Sequence, residues 1–172
     1  MKIHLFSLLL LPVLAFSQTS KKDSLWARWK PFLGTWIGQG EGPSGTGRYE
    51  RTYRYVLGNN FIEIKNRAVY PPTEKKPSGE VHEDMGYISY DRNRKLFVLR
   101  QFHVESFVNQ YRSGSSGDNL VFISEGIENI PAGWRARESY QWKDGNSFTE
   151  FFELAEPGKE FTLYTKVELT RQ

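Results

Sequence analysis

Beyond residue 34 the chain alternates apolar and polar residues in ten short runs, each closed by tight-turn chemistry, and this rhythm constrains the fold more than any other feature. The runs predict strands over 35–41, 47–57, 61–70, 83–90, 95–104, 106–113, 119–126, 134–142, 147–154 and 161–170. Between them lie GNN at Gly58 to Asn60, DRNRK at Asp91 to Lys95, IPAG at Ile130 to Gly133, KDGN at Lys143 to Asn146 and EPGK at Glu156 to Lys159. Such sequences supply the left-handed and turn conformations that join antiparallel neighbours. A meander of this length would leave two long edges open to other chains unless it closed on itself. The expected fold is therefore all-β, a single antiparallel up-and-down barrel of about ten strands with a short N-terminal helix.

The helix is expected from Asp23 to Phe32, where Leu25, Trp26, Trp29 and Phe32 recur at three-to-four spacing and Asp23 or Ser24 can cap the first turn. Before it, MKIHLFSLLLLPVLAFSQ joins a basic start to an apolar run, with Ala15 and Ser17 placed for cleavage before Gln18. Residues 1–17 are thus expected to be a signal peptide and 18–172 one barrel domain, secreted or periplasmic, with no membrane span. The chain has no cysteine, so neither disulfides nor a lipid-modified cysteine can hold it, and about 155 residues must make one packed core. Twenty-three basic residues stand against twenty acidic ones and are dispersed along the strands, which argues against a nucleic-acid surface.

One strand gives up its side chains. In PFLGTWIGQGEGP, Gly38, Gly40 and Gly42 share a face with Trp36, so backbone can approach closely and the strand can bend, while the indole plugs one end. A short helix, then Gly34 and Trp36 on the first strand, and Arg171 closing the last, resembles the calycin superfamily of lipocalins and fatty-acid-binding proteins. The resemblance implies a barrel with a ligand in its lumen and Arg171 stacked on Trp36. The segment from Phe61 through VHEDMGYISYD further resembles the nitrobindin-like branch, in His82, Asp84, Gly86 and Tyr87. That likeness implies that His82 faces the pocket and that a last-strand histidine would ligate haem. Lys166 stands at the corresponding position and no histidine follows His103, so no cofactor is expected.

Alternation gives the run from Leu96 two faces. The first, Leu96, Val98, Arg100, Phe102 and Val104, is the more apolar and is expected inside, where Arg100 would meet a ligand carboxylate; the second carries Gln101, His103 and Glu105. Candidate ligand-binding residues are therefore Trp36, Tyr53, His82, Asp84, Arg100, His103 and Lys166. Glu125, Glu138 and Glu150 are expected as exterior partners of arginines. His82, Asp84 and His103 show no metal-ligand spacing, and neither a nucleophile motif nor a phosphate loop is present. The expectation is a monomeric or homodimeric carrier of a small apolar or amphipathic molecule, without catalysis. Two alternatives are a haem protein of nitrobindin type, and an isomerase or cyclase with an inward carboxylate within reach of His82 or His103.

Overall fold

The computed structural model describes residues 21–116 and 119–172, and all ten expected strands are present in it. They are β1 (Gly34–Gly42), β2 (Gly45–Val56), β3 (Phe61–Tyr70), β4 (Glu80–Asp91), β5 (Leu96–His103), β6 (Val108–Ser116), β7 (Asn119–Glu128), β8 (Arg135–Asp144), β9 (Ser147–Ala155) and β10 (Thr162–Arg171). Each pairs antiparallel with its sequence neighbours, and β10 returns to β1 to close the barrel. The proposed leader, residues 1–17, lies outside the described residues. The chain divides into a first unit ending at Lys30 and a second, Pro31–Gln172, that holds the barrel. Among the described residues no helix is long and apolar enough to cross a membrane.

The N-terminal helix is shorter than expected and begins earlier. Helix α1 spans Lys21–Trp26, so Asp23 and Ser24 lie within it, and the chain tightens into a 3-10 turn at Lys30–Phe32. Pro31 has no N–H to donate back along the chain, so a regular α-helix does not continue through it to Phe32. Strand β4 starts three residues earlier than expected, directly after Gly79 at φ 71°, where a Cβ would meet the Tyr70 carbonyl oxygen at 2.6 Å.

The glycines of β1 have the expected consequence. A Cβ on Gly38 would sit 1.8 Å from the Glu168 carbonyl oxygen, and one on Gly40 would strike Lys166 backbone and the Tyr49 ring at 2.7 and 2.9 Å. Only glycine permits this approach of β10 to β1. Beside them, Trp36 anchors an aromatic plug. Its ring lies 4.8 Å from Phe148 and 5.6 Å from Trp142, and Phe32 packs on Trp142, Phe148, Tyr140 and Tyr53 at 4.7–5.7 Å. The indole N–H donates to the Phe32 carbonyl at 2.7 Å, so the plug buries no unmatched polar group there. The guanidinium of Arg171 stacks 4.2 Å over the Trp36 ring and donates to the Leu33 carbonyl, tying the last strand to the first.

Candidate functional site

Period-two alternation sends Tyr49, Arg51 and Tyr53 inward from β2, and Ile62, Ile64, Asn66, Ala68 and Tyr70 inward from β3. Inward from β4 come Asp84, Gly86 and Ile88, and opposite them on β5 stand His103, Gln101 and Leu99. Arg51, Asn66, Asp84 and His103 face one another in register across four consecutive strands. Gln101 is directly opposite Asn109 on β6. On the other side of the lumen, Ala136, Glu138 and Tyr140 point in from β8, and Phe148 and Glu150 from β9. Beyond the aromatic plug, then, the lumen carries a belt of polar side chains.

A forked ion pair in this belt joins Arg51 to Glu150, with Nε to Oε2 at 3.1 Å and Nη2 to Oε1 at 2.7 Å, both groups over 90% buried. Burial opposes the arginine charge, but pairing with Glu150 outweighs it and raises the pKa above the ordinary value. Glu138 has no such cation. Burial, with the charges of Glu150 and Asp84 adding to it, pushes its carboxyl up to about 8, against the Tyr140 hydroxyl that donates to it at 2.6 Å. It therefore holds its proton at neutral pH. The Tyr111 hydroxyl also bonds Glu138 and accepts from the Asn109 amide at 2.8 Å.

On the facing strands, the amide nitrogens of Asn66 and Gln101 converge on one oxygen of Asp84, at 2.7 and 2.8 Å. Donating in this way turns their carbonyl oxygens away from the carboxylate. Neither oxygen, nor that of Asn109, accepts a hydrogen bond from any described residue, and all three are buried. Leaving a buried acceptor unmatched costs about 1–3 kcal/mol, and native proteins rarely accumulate such groups in one place. His103 lies beside them. Its ring stacks on Phe107 at 4.0 Å, its Nε2 sits 3.2 Å from the Asn109 amide, and burial lowers its pKa.

No family model matches the chain, and no curated protein does. Among solved structures it is similar to Rv2717c from M. tuberculosis, at 18% identity and a TM-score of 0.62 over 86% of this chain and 97% of that one. It is also similar to a de novo designed fluorescence-activating β-barrel, at 14% identity and a TM-score of 0.43 over 83% and 95%. The likeness is one of fold.

The expected residues fall in different places. Trp36 and Tyr53 are buried at the plug. Asp84 and His103 lie in the polar belt. His82 is at the far rim, with Nδ1 2.5 Å from Glu105 and its ring edge-on to Tyr70, and both His82 and Glu105 are well exposed. Arg100 must be corrected, because β5 turns its other face inward and leaves Arg100, Phe102 and Val104 exposed. Lys166 is also outside, paired with Glu168, while Val167 and Leu169 face the lumen. Plain alternation sets that parity, with Lys166, Glu168 and Thr170 outside and Val167 and Leu169 inside. The inward residues Val167 and Leu169 therefore offer no nitrogen to a haem iron, and the belt does not fit a haem ligated from these positions.

Of the three glutamates expected outside, Glu125 is there and bonds Arg94 at 2.7 Å. Glu138 and Glu150 are inside instead. The missed signal is local parity, since Glu138 shares a face with Ala136 and Tyr140, and Glu150 with Phe148. Arg51, Gln101 and Asn109 were readable in the same way, between Tyr49 and Tyr53, beside Leu99, and beside Tyr111.

Proposed function

We propose that the barrel is a non-catalytic carrier that holds a small amphipathic molecule in its lumen, its apolar body against the aromatic plug and its polar end on the belt. The observation that carries this reading is the group of three buried amide oxygens, Asn66 Oδ1, Gln101 Oε1 and Asn109 Oδ1, without donors among the described residues. A bound molecule supplies those donors and recovers the desolvation cost. Trp36 with Arg171 stacked on it supports placing the chain with the calycins, and His82, Asp84 and Gly86 support the nitrobindin-like branch within them. A haem role of nitrobindin type has the inward residues Val167 and Leu169 against it. The leader-like start supports export, and the mature protein isolated from its host should then begin at Gln18; retention of residues 1–17 would refute export.

The test is a titration with 2-(1-naphthyl)ethanol, a neutral amphipathic fluorophore. Saturable binding at one equivalent, weakened at least about tenfold by Gln101→Met and unchanged by Arg100→Ala, is the expected result. Binding indifferent to Gln101, or abolished by Arg100→Ala, would place the probe elsewhere and overturn the reading.

A further inference from the structure

The chemistry of the belt is one-sided. A single arginine, Arg51, stands among three carboxylates, Asp84, Glu138 and Glu150, and both of its forked donors are taken by Glu150. Tyr140 and Tyr111 direct their hydroxyls to Glu138. Asp84 has only two neutral amides as donors. Among the fully buried belt atoms of the described residues, those left unmatched are acceptors, namely the three amide oxygens. Gln101 and Asn109 are 5% and 1% exposed, and they face each other across β5 and β6. A carboxylate placed here would add a negative charge to an acidic belt and, with both forked donors of Arg51 taken, would find only neutral donors such as the Tyr53 hydroxyl among the described residues. An ammonium group brings three N–H donors and a positive charge, and matches both deficits.

Resting on the carrier reading above, we infer that the lumen selects amphipathic amines: an ammonium head seated among Asn66, Gln101, Asn109 and Asp84, with an apolar body toward the plug. The preference runs opposite to that of a fatty-acid carrier, although the fold resembles one. Specificity of this kind arises as much from rejecting the wrong charge as from binding the right one. Glu138 adds a second signature. It is faced by Tyr140 on β8, Glu150 on β9, Tyr111 on β6, Asp84 on β4 and Arg51 on β2. A cation arriving in this belt favours its ionised form, so binding at neutral pH expels a proton.

Three probes with one naphthyl body test the inference: 2-(1-naphthyl)ethylamine, 2-(1-naphthyl)ethanol and 3-(1-naphthyl)propanoate, titrated at pH 7 by calorimetry in two buffers of different ionisation enthalpy. The amine should bind at least about tenfold more tightly than the alcohol, and the acid more weakly than either. Amine binding should release a fraction of a proton, lost in Glu138→Gln, while the alcohol releases none. Gln101→Met should weaken the amine at least about tenfold, and Glu138→Gln, which keeps a neutral hydrogen-bonding group, reports on the proton without emptying the belt. An acid that binds as tightly as the amine, or an amine no better than the alcohol, would overturn the charge preference while leaving the carrier reading intact. Failure of all three to bind would overturn the carrier reading itself.

Discussion

The two ends of the polar-to-aromatic gradient in this lumen are built on opposite terms. At the plug, Phe32, Trp36, Trp142 and Phe148 pack edge to face, Trp36 has its hydrogen bond, and Arg171 lies over its ring with carbonyl partners of its own. In the belt, carboxylates crowd one another, Glu138 keeps its proton, and three amide oxygens have no donor among the described residues. The plug is complete in itself and supplies stability. The belt is costly in the free protein, as groups held ready for a partner are.

The largest test of that contrast is to break the plug. Trp36→Ala should destabilise by about 3–5 kcal/mol in urea unfolding, the cost of truncating a buried aromatic. A loss below about 1 kcal/mol would show that the plug is not the core. The belt contains one element of comparable weight, the Arg51–Glu150 pair. Arg51→Met should cost about 3 kcal/mol, since it strands Glu150 beside Glu138, and the double variant Arg51→Met/Glu150→Leu should recover most of the loss. An additive double variant would mean the two residues do not depend on each other.

A smaller effect separates the two regions by pH. Glu138 has its folded pKa raised to about 8 from the ordinary carboxylate value of 4.5, so its contribution is complete below the unfolded value and is lost as pH rises through about 8. His103, with a lowered pKa, acts in the opposite sense, gaining stability as pH rises toward 6.5. Between about pH 6.5 and 8 the glutamate dominates, and stability should fall by up to about 1.4 kcal/mol per pH unit. Glu138→Gln should flatten this slope, and Trp36→Ala should leave it unchanged. A wild-type curve that is flat or rising across that interval would show that Glu138 is not held neutral.

The same contrast separates what could be read from the sequence from what could not. All ten strands were legible because turn chemistry and alternation are local properties of the chain. The plug was legible too, since Gly34, Trp36 and Arg171 stand at the ends of the first and last strands. The belt was not, for a physical reason. Choosing the more apolar face as the inner one works where the lumen is apolar, and it fails at β5, where Gln101 and His103 line a polar belt while Phe102 and Val104 lie exposed. Glu138 and Glu150 were misplaced for a different reason, as charged residues assigned outward to arginines, although Ala136, Tyr140 and Phe148 on the same faces marked them as interior. Lys166 was placed by the family resemblance, although local alternation, with Val167 and Leu169 as the apolar face, marked it as exterior.

The central claim, that the belt is held for a ligand and not for the fold, is tested most directly by the unfolding free energy of Gln101→Met/Asn109→Leu in ligand-free protein. The substitutions remove two unmatched acceptors along with the amide donors that bond Asp84 and Tyr111, two effects that offset each other. Stability should therefore stay within about 1 kcal/mol of the wild type, in either direction. A loss of more than about 3 kcal/mol would mean that the amides are structural members of the core, and would contradict the account.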